Sequence, residues 1–586
     1  MADVVSAPQP EDLAGLLERA RHWCAHDPAP AERAALSALI EQAQAGEAEA
    51  LADLASRFTG PLTFGTAGLR GAVGAGETRM NRAVVARATF GLMGYLNGIV
   101  EEPRVVIGCD ARHGSADFAR TVAQVVAAAG GRALVLPAQL PTPVLAYAVR
   151  DLQADAGVMV TASHNPPADN GYKVYLGGRV AQDEARGVQI VPPADRLIAE
   201  NIAAAPPADQ IPGVPSDDDG VLEQPEDAKI VLLDHGVVAG YVGRAASLAG
   251  SQLDADISIV LTPLHGVGGQ LACDVLATAG FPEVQLVPEQ AEPDPDFPTV
   301  AFPNPEEPGA LDLALDLARR SDADVVIALD PDADRCSVAT PDPSAPGGWR
   351  QLTGDELGAL LGEQAAQRTA QEGDPDTAVL ACSIVSSRQL ARIAAAHGCQ
   401  HATTLTGFKW IARTPGIVFG YEEAIGYCTD PGYVRDKDGI GTAVRVAALV
   451  AQLRSQGRTL CDALDDLARR DGLHATSQVS FRVSDLQLIG DAMARLRQNP
   501  PTVLADSAVV EVADLARGYA GLLPTDGLLL RTERDDRVIV RPSGTEPKLK
   551  CYLEVILAAC DGRVPRDAAQ QRLRQLEKDV SAVVAL

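Results

Sequence analysis

Between residues 11 and 24 the apolar positions Leu13, Leu16, Leu17, Ala20, Trp23 and Cys24 recur at the spacing of one helical stripe. With the Ala- and Glu-rich stretch that runs on to about residue 57, they predict an N-terminal helical arm. The period then changes. Short apolar runs such as "RVVIGCD", "ALVLP", "AGVMVTA", "ISIVLTP", "VVIALD" and "AVLACSIV" lack the polar alternation of a half-exposed strand, and Ala/Leu-rich segments separate them. Strands buried on both faces read this way, so the pattern predicts α/β units built on largely parallel sheets. Strand-like runs return in "DRVIVRPS" and "LKCYLEVIL", and the chain closes with an amphipathic helix carrying Leu573, Leu576 and Val580.

Three stretches break the pattern. "AAAPPADQIPGVPSDDDG" (203–220) is rich in Pro and Asp and predicts a domain connection. "VPEQAEPDPDFPTVAFPNPEEPGA" (287–310) holds too many prolines for a helix or a central strand. A loop of that length is more often functional than idle. "TPDPSAPGGW" (340–349) predicts a shorter turn-rich excursion.

At 586 residues the chain has room for several cores. Its formal charge of −28 argues against nucleic acid and anionic membrane surfaces as partners. A protein this acidic must gather its cations locally to bind an anion, which makes the position of each Lys and Arg informative. The ten cysteines show no C-x-x-C pair, and Cys336 and Cys382 sit in apolar runs as expected of reduced core residues. The start, "MADVVSAPQPEDLAGLLERA", has no basic n-region and long h-region, and no apolar run approaches the ~18 residues of a membrane span. A cytoplasmic protein is expected.

Chemistry-bearing residues gather at the ends of apolar runs. "ADVVIALDPDADRCSV" places Asp330, Asp332 and Asp334 at alternate positions after a strand, with Arg335 beside them. At an effective dielectric near 20, each pair of carboxylates ~4 Å apart would repel by about 4 kcal/mol, a cost a divalent cation removes. Oxygen-only ligands suit Mg2+. An EF-hand does not fit, since Arg335 and Pro341 stand where its Gly and Glu belong. Arg335 suits a bound phosphate.

"RVIVRPSGTEPKLKCYLEV" puts Arg541, Ser543, Gly544, Thr545 and Lys548 between two strands, a set able to cradle a phosphate. "GVMVTASHNPPADNGYKVY" (157–175) delivers Ser163, His164 and Lys173 where a plain turn needs only Asn, Pro or Gly. "LTFGTAGLRGAVGAG" (62–76) centres on Arg70. "TLTGFKWI" and "FGYEEAIGYCTDPGYVRDKDGIG" add Thr406, Gly407, Lys409, Glu422, Glu423, Arg435 and Lys437. "PLHGVGGQLACDVL" lacks the last small residue of a dinucleotide fingerprint and reads as a structural turn, with His265 a satisfied loop residue.

From about residue 55 onward, these segments resemble the α-D-phosphohexomutase superfamily. "TASHNP" (161–166), "DPDADR" (330–335), "GYEEAIG" (420–426) and "RPSGTEPK" (541–548) recur in the family's order. The resemblance implies a four-domain architecture, three similar α/β domains and a C-terminal α+β domain around a central cleft. Its expected partition is a helical arm (1–57) and domains 58–210, 211–340, 341–470 and 471–586. By the same resemblance, Ser163 is a phosphoserine, and Asp330, Asp332 and Asp334 hold Mg2+ with its phosphate. His164, Lys173, Arg70 and Lys437 stand near the reacting groups, His164 and Lys173 as local cations. Arg335, Thr406, Gly407, Lys409 and Glu422 meet substrate, and Arg541, Ser543, Gly544, Thr545 and Lys548 hold its non-reacting phosphate.

The implied activity is that of a phosphoglucomutase working through glucose 1,6-bisphosphate, which serves as intermediate and activator. Ala424 stands where many members have Ser, so mannose and pentose phosphates stay open as alternatives. "DNGYKVY", "EEAIGY" and "DKDG" resemble the second phosphoglucomutase/phosphopentomutase branch. A non-catalytic sugar-phosphate binding protein is the remote alternative. Expected partners are a small phosphosugar and no nucleic acid or membrane, with the chain a monomer or weak homodimer.

Overall fold

A computed structural model describes residues 10–214, 229–250, 256–483, 485–543 and 548–584. The chain packs as two compact units: residues 1–339 with 430–448, and residues 340–429 with 449–586. Residues 215–220 of the predicted connection lie outside the described residues.

The first unit opens with the expected arm, the helices α1 (Pro10–His26), α2 (Pro30–Gln44) and α3 (Ala48–Arg57). Leu16, Leu17 and Ala20 of the predicted stripe bury against Leu36, Ile40 and Leu54. Strands follow as β1 (Leu69–Ala72), β2 (Arg104–Cys109), β3 (Arg132–Val135), β4 (Ala156–Val160), β5 (Asp169–Leu176), β6 (Val188–Gln189) and β7 (Ile230–Leu232). They form a sheet in the order β1-β5-β4-β2-β3-β7, with β6 beside β5. Strands β4, β2, β3 and β7 run parallel, while β5 returns antiparallel to β4. Every residue of β4 is buried, which is why its sequence is continuously apolar.

A second sheet uses β8 (Ile259–Thr262), β9 (Val284–Leu286), β10 (Val325–Leu329) and β11 (Cys336–Pro341), in the order β11-β10-β8-β9. Here too parallel strands are followed by one antiparallel return, β11 on β10.

In the second unit, β12 (Trp349–Gln351) precedes a third sheet of β13 (Val379–Ser383), β14 (Gln400–Thr404), β15 (Ile417–Glu422) and β16 (Gly426–Cys428). Its order is β14-β13-β15-β16, again parallel with a final antiparallel strand. The last sheet is antiparallel throughout, β17-β22-β21-β20-β19-β18, made from β17 (Leu473–Arg482), β18 (Val503–Leu504), β19 (Ser507–Asp514), β20 (Leu528–Thr532), β21 (Arg537–Pro542) and β22 (Lys548–Leu557). The helix Arg566–Val584 buries Leu573, Leu576 and Val580 in its core.

Three α/β sheets and an α+β end are therefore present, as the resemblance implied; the apolar runs themselves predicted the buried parallel strands. The first three share one topological point. The turns β4–β5, β10–β11 and β15–β16 each lead from a buried parallel strand into its antiparallel return. They carry "TASHNP", "DPDADR" and the end of "GYEEAIG". Each also contains one non-glycine residue in the left-handed region, Ser163 (φ 52°), Ala333 (φ 53°) and Ile425 (φ 51°). Among the described residues no helix is long and apolar enough to cross a membrane, and all ten cysteines are free thiols.

Candidate active site

Strands β2 and β4 are parallel neighbours, so their C-terminal ends deliver two loops to the same place. Asp110 follows β2 and donates its N–H to Val160 O (3.1 Å), keeping the loops together. Ser163 is buried, and its N–H is held by Thr161 Oγ1 at 2.9 Å. Arg112 wraps the turn: one Nη donates to Ser163 O and Asn165 O (2.6 Å each), the other to Pro166 O (2.8 Å) and Asp169 O (3.1 Å). A left-handed serine costs on the order of 1–3 kcal/mol, and this surrounding network is what sustains it. Sequence reasoning missed Arg112. Its signal was "RVVIGCDARHG", an apolar strand ending abruptly in charge, as "ALDPDADR" does.

Ser163 Oγ donates to Asp330 Oδ2 at 2.8 Å and lies 3.1 Å from His164 Nδ1. Asp330, Asp332 and Asp334 are all buried, and one ligand atom from each falls within 4.8 Å of the others. The oxygens divide into two sets. Asp332 Oδ2 accepts from Thr142 Oγ1 (2.6 Å) and Lys173 Nζ (2.7 Å), while Asp334 Oδ2 accepts from Lys173 Nζ (2.9 Å) and has Lys437 Nζ at 3.3 Å. Asp332 Oδ1 and Asp334 Oδ1 are buried with no hydrogen-bond partner. Such atoms are costly to leave bare, and they fit a divalent cation that takes oxygen ligands.

The electrostatics follow from this company. Burial, then the charges of Asp332 and Asp334, push Asp330 well above the usual carboxylate range. Burial also disfavours the charge on Asp334, but Lys173, Lys437 and Arg335 outweigh it and hold that carboxyl far below its ordinary value. Burial lowers Lys173, and Asp332 and Asp334 overcome that, so it stays a cation. His164 does not. Burial, reinforced by Arg335 and Arg70, drives its pKa well below the ordinary imidazole value. Of the two expected local cations, Lys173 has its charge favoured by its neighbours, whereas the surroundings of His164 disfavour charge on its ring.

Arg70 on β1 donates to Asn165 Oδ1 at 2.9 Å, and Arg335 donates its N–H to Asp330 Oδ1 at 2.9 Å. Lys437 arrives from far along the chain, on the segment 430–448 that packs in the first unit. Tyr175 OH and Gln189 Nε2 donate to Asp436 Oδ2 (2.6 and 2.9 Å), Tyr241 OH donates to Asp438 Oδ1 (2.8 Å), and Arg244 clamps Asp430 through Nε and Nη2 (2.6 and 2.8 Å). Gly439 permits the approach, since a Cβ there would stand 2.4 Å from Arg335 O.

The remaining predicted residues lie in the second unit. Glu422 ends β15, and Glu423 accepts from Ser383 Oγ (3.1 Å) and Ser386 Oγ (3.2 Å). Gly407 (φ 104°) lets the chain turn from Thr406 into the short helix that carries Lys409. Arg541 is the penultimate residue of β21, and Ser543 N donates to Lys548 O at 2.8 Å. Burial, with Glu423 adding to it, pushes the Tyr552 phenol well up, while Arg541 opposes the shift. Gly544 and Thr545 lie outside the described residues. Asp355 accepts from Ser387 N (2.7 Å) and Tyr421 OH (3.0 Å), and burial pushes its carboxyl to about 7.

The sequence is similar to those of known proteins. Four family models match in order: phosphoglucomutase/phosphomannomutase α/β/α domain I on residues 61–205, domain II on 239–346, domain III on 353–470 and the C-terminal domain on 480–558. A probable phosphomannomutase of Haemophilus influenzae is 46% identical over 83% of this chain and 94% of its own length. A phosphoglucomutase of Staphylococcus haemolyticus is 35% identical over 85% of this chain and 91% of its own. A probable phosphoribomutase of Schizosaccharomyces pombe is 34% identical over 88% and 90%.

Proposed function

The chain belongs to the phosphoglucomutase/phosphomannomutase family, a family of phosphosugar mutases in the isomerase class, and from that premise we propose that it interconverts α-D-glucose 1-phosphate and glucose 6-phosphate. Ser163 carries the phosphoryl group, and glucose 1,6-bisphosphate is the intermediate. The observation behind this reading is the meeting of Ser163 Oγ with Asp330 Oδ2 at 2.8 Å, beside two buried carboxylate oxygens that accept no hydrogen bond.

Asp330, Asp332 and Asp334, with the phosphate on Ser163, would hold Mg2+. Bound there, the ion would offset charge on the phosphoryl oxygens during transfer. The protein supplies the rest. Lys173 and Lys437 are anchored on the carboxylates and extend positive charge over the serine's surroundings, with Arg335 and Arg70. A neutral His164 can take a proton from a hydroxyl in a way an imidazolium cannot. In the second unit, Glu422 would accept from sugar hydroxyls, with Thr406, Gly407 and Lys409 at its side. Arg541, Ser543, Gly544, Thr545 and Lys548 would hold the phosphate that is not reacting. A bisphosphate that turns end for end would return its other phosphoryl group to Ser163.

Mannose or pentose phosphate is the second reading. It is favoured by Ala424, which removes a hydroxyl beside the paired glutamates, and by the names of two relatives. Comparison of kcat/KM on glucose 1-phosphate, mannose 1-phosphate and ribose 1-phosphate decides; a strong preference for either rival sinks the first choice. Intact-mass measurement after incubation with glucose 1,6-bisphosphate should show one phosphoryl gain, absent in Ser163→Ala, together with loss of turnover.

A further inference from the structure

The proline-rich segment 287–310 folds back behind the turn that carries Ser163. Phe297 at its centre is buried, 2% exposed, and holds a φ of 47°. Bulky residues rarely adopt this left-handed conformation, and where one does, the surroundings enforce it. Its ring lies against the Arg112 guanidinium, with Cζ 4.9 Å from the ring centroid. Arg112 is the same side chain that donates to the four carbonyls of the serine turn. Its edge is spent on that turn and its face on the ring.

Hydrogen bonds fix the segment from below. Asp294 N donates to His265 O (3.0 Å), Phe297 N to Asp294 O (3.2 Å) and His265 N to Gln290 O (3.0 Å). Side chains repeat the pattern: Thr262 Oγ1 donates to Gln290 Oε1 (2.6 Å), Gln290 Nε2 donates to Thr299 Oγ1 (2.9 Å), and His265 Nε2 meets Thr299 Oγ1 at 2.8 Å. The next residues grip the carboxylate loop. Val267 N donates to Pro331 O at 2.9 Å, and a Cβ on Gly266 would stand 2.3 Å from Pro331 Cα. Asp110, Arg112, His265, Asp294, Phe297 and Pro331 thus line one small cleft at the back of the site.

We propose that the segment 287–300 is a positioning element for phosphoryl transfer. Phe297 sets the serine turn through Arg112, the His265–Val267 stretch sets the carboxylate loop, and the common block keeps Ser163 in register with Asp330. The inference rests on Ser163 as the phosphoryl carrier. Phe297 touches neither substrate nor metal, so its loss should slow the chemical step and leave ground-state binding of the sugar alone.

Phe297→Leu keeps apolar bulk but loses the ring face, whereas Phe297→Tyr keeps the face. With the full chain, kcat should fall about tenfold in Phe297→Leu with KM for glucose 1-phosphate unchanged, and stay within about twofold in Phe297→Tyr. Wild-type kcat in the leucine variant, or an equal loss in both, overturns the proposal. Should the leucine variant fail to fold, Arg112→Lys reads the other half of the contact. It keeps the charge but not the fork that reaches four carbonyls, so kcat should fall with KM unchanged, and a wild-type kcat is the contrary result. Ser163→Ala separates the two readings. Retained turnover there refutes the phosphoryl carrier itself; an inactive alanine variant beside a wild-type Phe297→Leu refutes the positioning role alone.

Discussion

The carboxylates of Asp330, Asp332 and Asp334 share a loop but keep unequal company. Asp334 has two ammonium groups within 3.3 Å, and Asp330 has the Ser163 hydroxyl and a backbone N–H. Asp332 lies between, with one oxygen taken and one bare. Asp332→Asn should therefore keep the hydrogen bond from Thr142 but weaken cation binding. We expect a loss of at least about 100-fold in kcat at fixed Mg2+, partly recovered at high Mg2+, in a metal titration of activity. A different residue sets a pH dependence of stability. Burial raises Asp355 to about 7, above its value in an unfolded chain, so the folded state binds the extra proton between about pH 4 and 7. Its contribution is whole below that window and is lost as pH rises through it. Melting temperatures of Asp355→Asn should fall less than wild type between pH 5 and 8.

Segments, rather than single side chains, explain what was legible beforehand. Continuous apolar runs announced the buried strands, and the cluster at 330–335 announced itself because three carboxylates after such a run have few other uses. Arg112 and Phe297 gave no comparable signal: one looks like any charge in a turn, the other like any apolar residue between prolines. Their meaning lies in a contact across 185 positions, which no local pattern encodes. The equivalence of the three loop-bearing turns was equally hidden, because it resides in strand order and a shared left-handed residue and not in repeated letters. The segment at 430–438 is the clearest case. Tyr175 reads as a core aromatic, yet its hydroxyl holds Asp436 at 2.6 Å, and Lys437 N donates to the same carboxylate at 2.8 Å. If that bond aims Lys437, Tyr175→Phe should lower kcat several-fold in wild type and cause no further loss in Lys437→Met. Losses that multiply in the double mutant would show that the tyrosine merely packs.

For the molecule as a whole, a cation held by the acidic cluster would couple its binding to folding. A cation bound only by the native chain stabilises it by about 2.7 kcal/mol at a hundredfold excess over Kd. Mg2+ should thus raise the melting temperature of wild type in a calorimetric scan and leave that of Asp332→Asn nearly unmoved. The return of residues 430–448 to the first unit has another consequence, for the order of events at the ribosome. Strands β4 and β10 can join their own sheets once their neighbours have emerged, but the ammonium of Lys437 is still unmade while residues 340–429 are being added. Domains that emerge early fold early, so the serine and its carboxylates come together before their last counter-charge exists. A nascent or truncated chain ending short of residue 437 would have Ser163 and the three carboxylates without the ammonium of Lys437.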